Sequence, residues 1–169
     1  MKEASNITKI FFRSFELKGN KTENRSFLSQ KAKELVLSKA CEKLNMPKDS
    51  VVIKIGKNSK PYIDGFHFNI SHTLDAFVIA ISDDEVGIDI EKIRDINLKG
   101  LEKHIGCEIT DIKEFFKLWT KKESAVKQKG LTLKELKTID ISKTETFYID
   151  DYVISVCCEN DQETELKIL

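Results

Sequence analysis

Apolar residues recur along this chain with two different periods, and each change of period marks an element. From about residue 23 to 45, Leu28, Ala32, Leu35, Val36, Ala40 and Leu44 follow helical spacing, and Asn45 with Pro47 supplies a stop. Residues 7–17 read as a strand rich in phenylalanine and isoleucine, broken by Gly19-Asn20-Lys21. Residues 51–55 predict a short strand, followed by the polar, basic loop Gly56-Lys57-Asn58-Ser59-Lys60-Pro61. Over residues 66–71 the period is two, with His67, Asn69 and Ser71 opposite the apolar members and His72 at the end. Residues 76–81 are almost wholly apolar and predict a central strand, turned by Ser82-Asp83-Asp84 into a further alternating run at 86–92. Residues 66–91 are therefore expected to form an antiparallel meander. A short helix is predicted at 98–106 and a long one at 111–129, ended by Gly130. Strands are predicted at 138–141, 146–149 and 152–157, with Asp150-Asp151 as a turn. The order implies an α+β fold with one long helix per half on antiparallel strands, dividing near residue 84.

Within the long second helix one carboxylate interrupts the greasy stripe. At about 100° per residue, Ile112, Phe115, Phe116, Trp119 and Val126 project in one sector, and Glu123 projects into its middle. Lys127 follows one turn later, at a spacing that lets the two side chains meet. An ionised carboxylate is costly to bury without a partner, so its place on a core face points to use. In the run Val86-Gly87-Ile88-Asp89-Ile90-Glu91-Lys92, alternation puts Gly87, Asp89 and Glu91 on one face, the two carboxylates about 7 Å apart. Gly87 leaves space there. If the helix carrying Glu123 packs over that face, three carboxylates converge into an all-oxygen set suited to a hard cation such as Mg²⁺. Each feature has a plainer alternative: a solvated strand face for Asp89 and Glu91, a rotated helix for Glu123, and a surface ion pair for Lys127.

Composition narrows the field. Among 169 residues, lysine plus arginine and aspartate plus glutamate each number 28, which argues against a broad grip on nucleic acid or an anionic membrane. Cys41, Cys107, Cys157 and Cys158 show neither C-x-x-C nor zinc spacing and read as reduced thiols. No apolar run is long enough to span a membrane and no cleavable leader is apparent, so a soluble, cytoplasmic protein is expected.

Ser59-Lys60-Pro61, Phe68-Asn69-Ile70-Ser71-His72, Gly87-Ile88-Asp89-Ile90-Glu91-Lys92 and Phe116-x-x-Trp119-x-x-Lys122-Glu123-Ser124-x-x-Lys127 occur together in this order. Together they resemble the 4′-phosphopantetheinyl transferase superfamily, closer to the type that activates peptide synthetases, with two pseudo-symmetric halves in one chain. The resemblance implies transfer of the phosphopantetheine arm of coenzyme A to a serine hydroxyl of an apo acyl or peptidyl carrier protein, with Mg²⁺, releasing 3′,5′-ADP. It implies that residues 1–84 carry the coenzyme A phosphate and nucleotide contacts, and 85–169 the metal site and catalytic helix. Asp89, Glu91 and Glu123 match the family's metal-binding carboxylates. Glu123, or a water held by the metal, would take the serine proton, and Lys127 matches the lysine near the pyrophosphate. Ser71 and His72 match phosphate contacts, and Lys60 and Pro61 match the adenine and 3′-phosphate segment. Arg25 is the candidate from the first helix for the 3′-phosphate, with Lys31 and Lys33 as rivals. A monomer is implied. Two departures stand out: Ser59 replaces the usual glycine, and the chain is short before the motifs and between Lys92 and Phe115.

Two other classes compete. A non-catalytic relative would hold coenzyme A or a carrier protein without transferring the arm. A Mg²⁺-dependent nuclease would need a lysine two residues beyond Glu91 on the same face, whereas Lys92 is adjacent and points away.

Overall fold

The computed structural model describes residues 7–160 and 163–169. Its elements form four layers: helix, sheet, sheet, helix. A four-stranded sheet has the order β4-β5-β1-β9, from β4 (His67–Thr73), β5 (Ala76–Ser82), β1 (Ile7–Ser14) and β9 (Glu163–Ile168). A three-stranded sheet has the order β6-β8-β7, from β6 (Val86–Lys92), β8 (Tyr152–Cys158) and β7 (Thr144–Ile149). The short strands β2 (Lys54–Ile55) and β3 (Pro61–Tyr62) pair separately.

The helix α1 (Lys21–Leu44) starts because Asn20 accepts from the amides of Thr22 and Glu23 while Glu23 answers to the Asn20 amide, and it ends at Asn45 in the left-handed region. Its buried residues Leu28, Ala32, Val36 and Ala40 lie against Phe11, Phe77, Ile79 and Ile81 on one face of the four-stranded sheet. The other face, with Ile10, Phe12, Val78 and Ala80, packs on Ile88, Ile90, Ile154 and Val156 of the three-stranded sheet. On the outer face of that sheet lies α3 (Ile112–Gln128), capped by the Asp111 carboxylate on the Glu114 amide. Phe115 and Phe116 pack there with Val153, Ile109 and Ile105 of the single-turn helix α2 (Glu102–Ile105).

Small residues bring α3 close. The space beside Gly87 is filled by helix backbone: an added Cβ would meet the Ser124 carbonyl oxygen at 2.0 Å and the Gln128 nitrogen at 2.4 Å. Beside it the hydroxyls of Thr120 on α3 and Ser155 on β8 bond at 2.8 Å in a buried setting.

Several sequence expectations are corrected. Residues 66–91 are not one meander, because β6 bonds to β8 rather than to β5. Residues 138–141 carry no strand; the Thr132-capped turn and the buried Lys122 ammonium, donating to the Leu136 and Lys137 carbonyls, shape that segment. The short helix is only a single turn at Glu102–Ile105. The strand β9, paired in parallel with β1, has no counterpart among the predicted elements. The four-stranded sheet thus draws on residues 7–82 and 163–168, and the three-stranded sheet on 86–158. All four cysteines are free, Cys157 and Cys158 buried, where burial pushes both thiols up.

One polar cluster ties the layers at the β4–β5 turn. Tyr152 donates to Asp75 Oδ1 and Lys92 to Asp75 Oδ2, each at 2.7 Å. Burial opposes ionisation of Asp75, but these two donors outweigh it and hold its pKa below the usual aspartate value. A depressed folded pKa contributes stability above the unfolded value of about 3.9, lost as pH falls through the folded value. Denaturant midpoints should therefore decline below about pH 4, and less steeply in Asp75→Asn. Gly87→Ala, which must push α3 outward, should lower stability by about 2–3 kcal/mol in urea unfolding.

Candidate active site

Strand β6 offers two kinds of group to its surroundings. Its outward side chains, Gly87, Asp89 and Glu91, face α3, and the amides of Ile88, Ile90 and Lys92 point away from β8. Those amides meet side chains of β4: Ile88 N donates to Asn69 Oδ1 at 2.9 Å, Ile90 N to Ser71 Oγ at 3.4 Å, and Lys92 N to Thr73 Oγ1 at 3.4 Å. The face read from sequence as polar is thus a buried seam, with Asn69 and Ser71 each under a tenth exposed. The same hydroxyls reach the acids, Ser71 Oγ donating to Asp89 Oδ1 at 2.8 Å and Thr73 Oγ1 to Glu91 Oε2 at 3.3 Å.

From α3, Lys127 enters this seam. Its ammonium lies 2.5 Å from Asp89 Oδ1 and 3.6 Å from Glu123 Oε2, and donates to Ser71 Oγ and the Ile88 carbonyl, both at 3.3 Å. The structure therefore brings Ser71, Asp89, Glu123 and Lys127 together. Glu91 lies one register step further along β6, with Arg94 Nη1 on its Oε2 at 3.0 Å. Asp89 is 4 % exposed, and its Oδ2 is buried without a hydrogen-bond partner. Burial, then the Asp89 charge, push Glu123 up to about 7, with Lys127 opposing. Burial and the Asp89 charge raise Glu91 as well, with Arg94 opposing. Burial disfavours the charge on Lys127, but Asp89 and Glu123 overcome it and raise its pKa.

Two to three carboxylates, one with an orphaned oxygen, could hold a hard cation, although Lys127 and Arg94 already pair with them. Among the described residues no three acid, histidine or cysteine side chains close around one point. Lys127 bridges Asp89 and Glu123.

A cavity opens on either side. The first, about 200 Å³, is lined by Ser59, Lys60, Pro61, Ile70, Lys127 and Leu131 among others. Lys60 donates to Glu85 at 2.6 Å and to the Gln128 carbonyl at 3.2 Å, placing a cation at the C-terminal end of α3. Asn58 donates to the Gly130 carbonyl at 2.8 Å. Asn58 and Ser59 both have positive φ, 53° and 61°, so Ser59 holds a conformation that glycine adopts freely. The second cavity, about 650 Å³, is lined by Lys21, Arg25, His72, Thr73, Glu91 and Arg94 among others. Burial, then Arg25 and Lys127, lower the His72 pKa. Arg25 is thus beside His72, whereas Lys31 pairs with Glu34 and Lys33 lines a separate apolar groove with Val51 and Ile53.

No protein-family model matches the chain. Comparison with curated proteins does find relatives. The chain is similar to 4′-phosphopantetheinyl transferases over about half its length. The transferase gsp of Aneurinibacillus migulanus is 37% identical over 98 residues, 52% of this chain and 41% of the relative. Sfp of Bacillus subtilis (strain 168) is 34% identical over 85 residues, 44% of this chain and 38% of the relative. AcpT of Salmonella typhi is 31% identical over 101 residues, 50% of this chain and 53% of the relative. The chain spans less than half the length of gsp and Sfp. These relatives bear out the resemblance read from the motifs.

Sequence reading missed Thr73, Lys21 and Arg94. Thr73 was within reach, since it continues the two-residue alternation of Asn69 and Ser71 past His72. Arg94 lies beyond β6, outside any periodic pattern, and Lys21 opens α1. Ser59→Gly should relieve the left-handed strain in the Lys60 loop and raise stability by about 0.5–1 kcal/mol, read as a higher urea midpoint.

Proposed function

We propose that this chain transfers the 4′-phosphopantetheine arm of coenzyme A to a serine hydroxyl of an apo acyl or peptidyl carrier protein, dependent on Mg²⁺ and releasing 3′,5′-ADP. The observation that carries the reading is the meeting of Asp89, Glu123 and Lys127 between two cavities lined by Lys60 and by Arg25 and His72. The similarity to named 4′-phosphopantetheinyl transferases supports the reaction class.

Asp89, Glu91 and Glu123 would hold the cation, and the orphaned Asp89 Oδ2 supports that fit. When bound, Mg²⁺ neutralises charge on the pyrophosphate oxygens. The basic and hydroxyl groups of Lys60, Ser71, His72 and Arg25 bind the phosphates of coenzyme A, and Pro61 lines the nucleotide end. The carrier serine oxygen bonds to the phosphorus bearing pantetheine as the bond from that phosphorus to the ADP oxygen breaks. Glu123 takes the serine proton, and the Lys127 ammonium faces the charge left on 3′,5′-ADP. In this reading residues 1–84 and 85–169 are two related halves, α1 and α3 being corresponding helices, each on its own sheet. The protein acts as a cytoplasmic monomer without nucleic acid or membrane.

A second reading, a binding relative that holds coenzyme A or a carrier without transfer, is favoured by one observation: the match covers less than half of gsp and Sfp. The deciding experiment is incubation with coenzyme A, Mg²⁺ and several apo carrier proteins, followed by intact-mass measurement. A phosphopantetheine mass gain supports transfer. No gain on any carrier, with coenzyme A binding indifferent to Mg²⁺ in calorimetry, supports the binding relative. Asp89→Ala and Glu123→Ala should each lower the transfer rate by about 10²-fold or more, and near-normal turnover in either would refute its role.

A further inference from the structure

We propose that Arg94 is a built-in counterion that competes with a divalent cation for Glu91, so that cation binding frees the guanidinium into the neighbouring cavity. The inference rests on the reading of Asp89, Glu91 and Glu123 as cation ligands.

Each acid of the trio has a protein cation against it. Lys127 serves Asp89 and Glu123, and Arg94 serves Glu91. Lys127 is locked in the seam by the Ser71 hydroxyl and the Ile88 carbonyl. Arg94 is held differently. One nitrogen, Nη1, donates both to Glu91 Oε2 at 3.0 Å and to the Lys92 carbonyl at 2.9 Å. Its Cζ lies 5.1 Å from the centre of the Phe116 ring, a cation–π contact with α3. The guanidinium stays charged at any working pH. Its side chain is 43% exposed while that of Glu91 is 23% exposed, and both line the cavity that also holds Lys21, Arg25 and His72.

The guanidinium occupies one of the two carboxylate oxygens of Glu91. Oε2 already accepts from Thr73 at 3.3 Å and from Arg94. A divalent ion drawn to Glu91, even at Oε1, meets the guanidinium charge on the same carboxylate and is repelled by it, which favours release of Arg94. Linkage makes the competition mutual: whatever free energy the pair contributes is subtracted from cation affinity, and cation binding weakens the pair by the same amount. Released from Glu91, Arg94 leaves its charge unpaired in the cavity it lines with Lys21 and Arg25. Cation binding thereby strengthens the same cavity for an anion.

The test is Mn²⁺ titration, followed by the loss of the free-ion magnetic resonance signal, on the whole chain and two variants. Exposed ion pairs are worth a few tenths to about 1 kcal/mol, so Arg94→Gln should bind Mn²⁺ about two- to five-fold more tightly than the unsubstituted protein. Lys103→Gln, which removes a positive charge from α2 with no contact to Glu91, should leave the affinity unchanged. Equal or weaker binding by Arg94→Gln overturns the proposal. So does an equal gain in Lys103→Gln, which would make the effect one of net charge. If neither the unsubstituted protein nor Arg94→Gln binds Mn²⁺, and transfer proceeds without a divalent ion, the cation reading itself falls and the proposal with it.

Discussion

The arrangement depends on how the free edge of β6 is satisfied. The amides of Ile88, Ile90 and Lys92 face away from β8, and a buried strand edge left without acceptors would cost roughly 1–3 kcal/mol per group. Asn69, Ser71 and Thr73, at successive same-face positions of β4, supply the acceptors. Side chains thus do for this edge what a neighbouring strand would otherwise do. The consequence is geometric. Because β6 stays out of the first sheet, its apolar face packs on that sheet and its acidic face is left for α3. Had β6 joined β5 through backbone bonds, Asp89 and Ser71 could not meet across the seam.

Once that seam is fixed, electrostatics and sterics work together. Gly87 removes the obstacle to α3, so Lys127 arrives where two acids and a hydroxyl converge. Three carboxylates face two cations, Lys127 and Arg94, and desolvation raises Glu91 and Glu123 together. A cluster made only for stability would gain little from such an excess of acid, since buried ion pairs rarely recover their desolvation cost. In the proposed function, that excess is what a bound cation would offset. The hydroxyls of Ser71 and Thr73 have a double part, accepting from β6 amides and donating to β6 carboxylates, which fixes the rotamers of Asp89 and Glu91.

Much of this was legible in the sequence, and the failures have physical causes. Period two exposed Asp89 and Glu91, and period 3.6 exposed Glu123 and Lys127, because side-chain direction follows from local geometry. The pairing partner of a strand is not encoded in its own period, and so the continuous meander expected across 66–91 gave way to two sheets. Residues 163–168 escaped detection because Glu163, Glu165 and Lys167 are charged and only Leu166 packs inward. Residues 138–141 looked like a strand from composition, yet Lys122 reaches from α3 to hold the preceding carbonyls. At Ser59, where the resemblance expects glycine, the backbone is left-handed and the serine bears the strain. The proposed pair of related halves rests on element order, and the last strand, lying in the first sheet, crosses their boundary.

That last strand has a consequence for how the molecule is made. Translation delivers β1 before β5 and β9, and β5 can pair with one of its edges as soon as the β4–β5 hairpin emerges. The other edge of β1 belongs to β9, whose register runs from Ile7 opposite Glu163 to Phe12 opposite Ile168. Closing that pair requires the longest loop in the described chain, and non-local pairings of this kind set slow folding rates. Until β9 is made, β1 therefore carries an open edge, the kind of surface that recruits stray strands. The charges on β9 that hid it from sequence reading also keep the completed sheet from presenting a fresh apolar edge in its place.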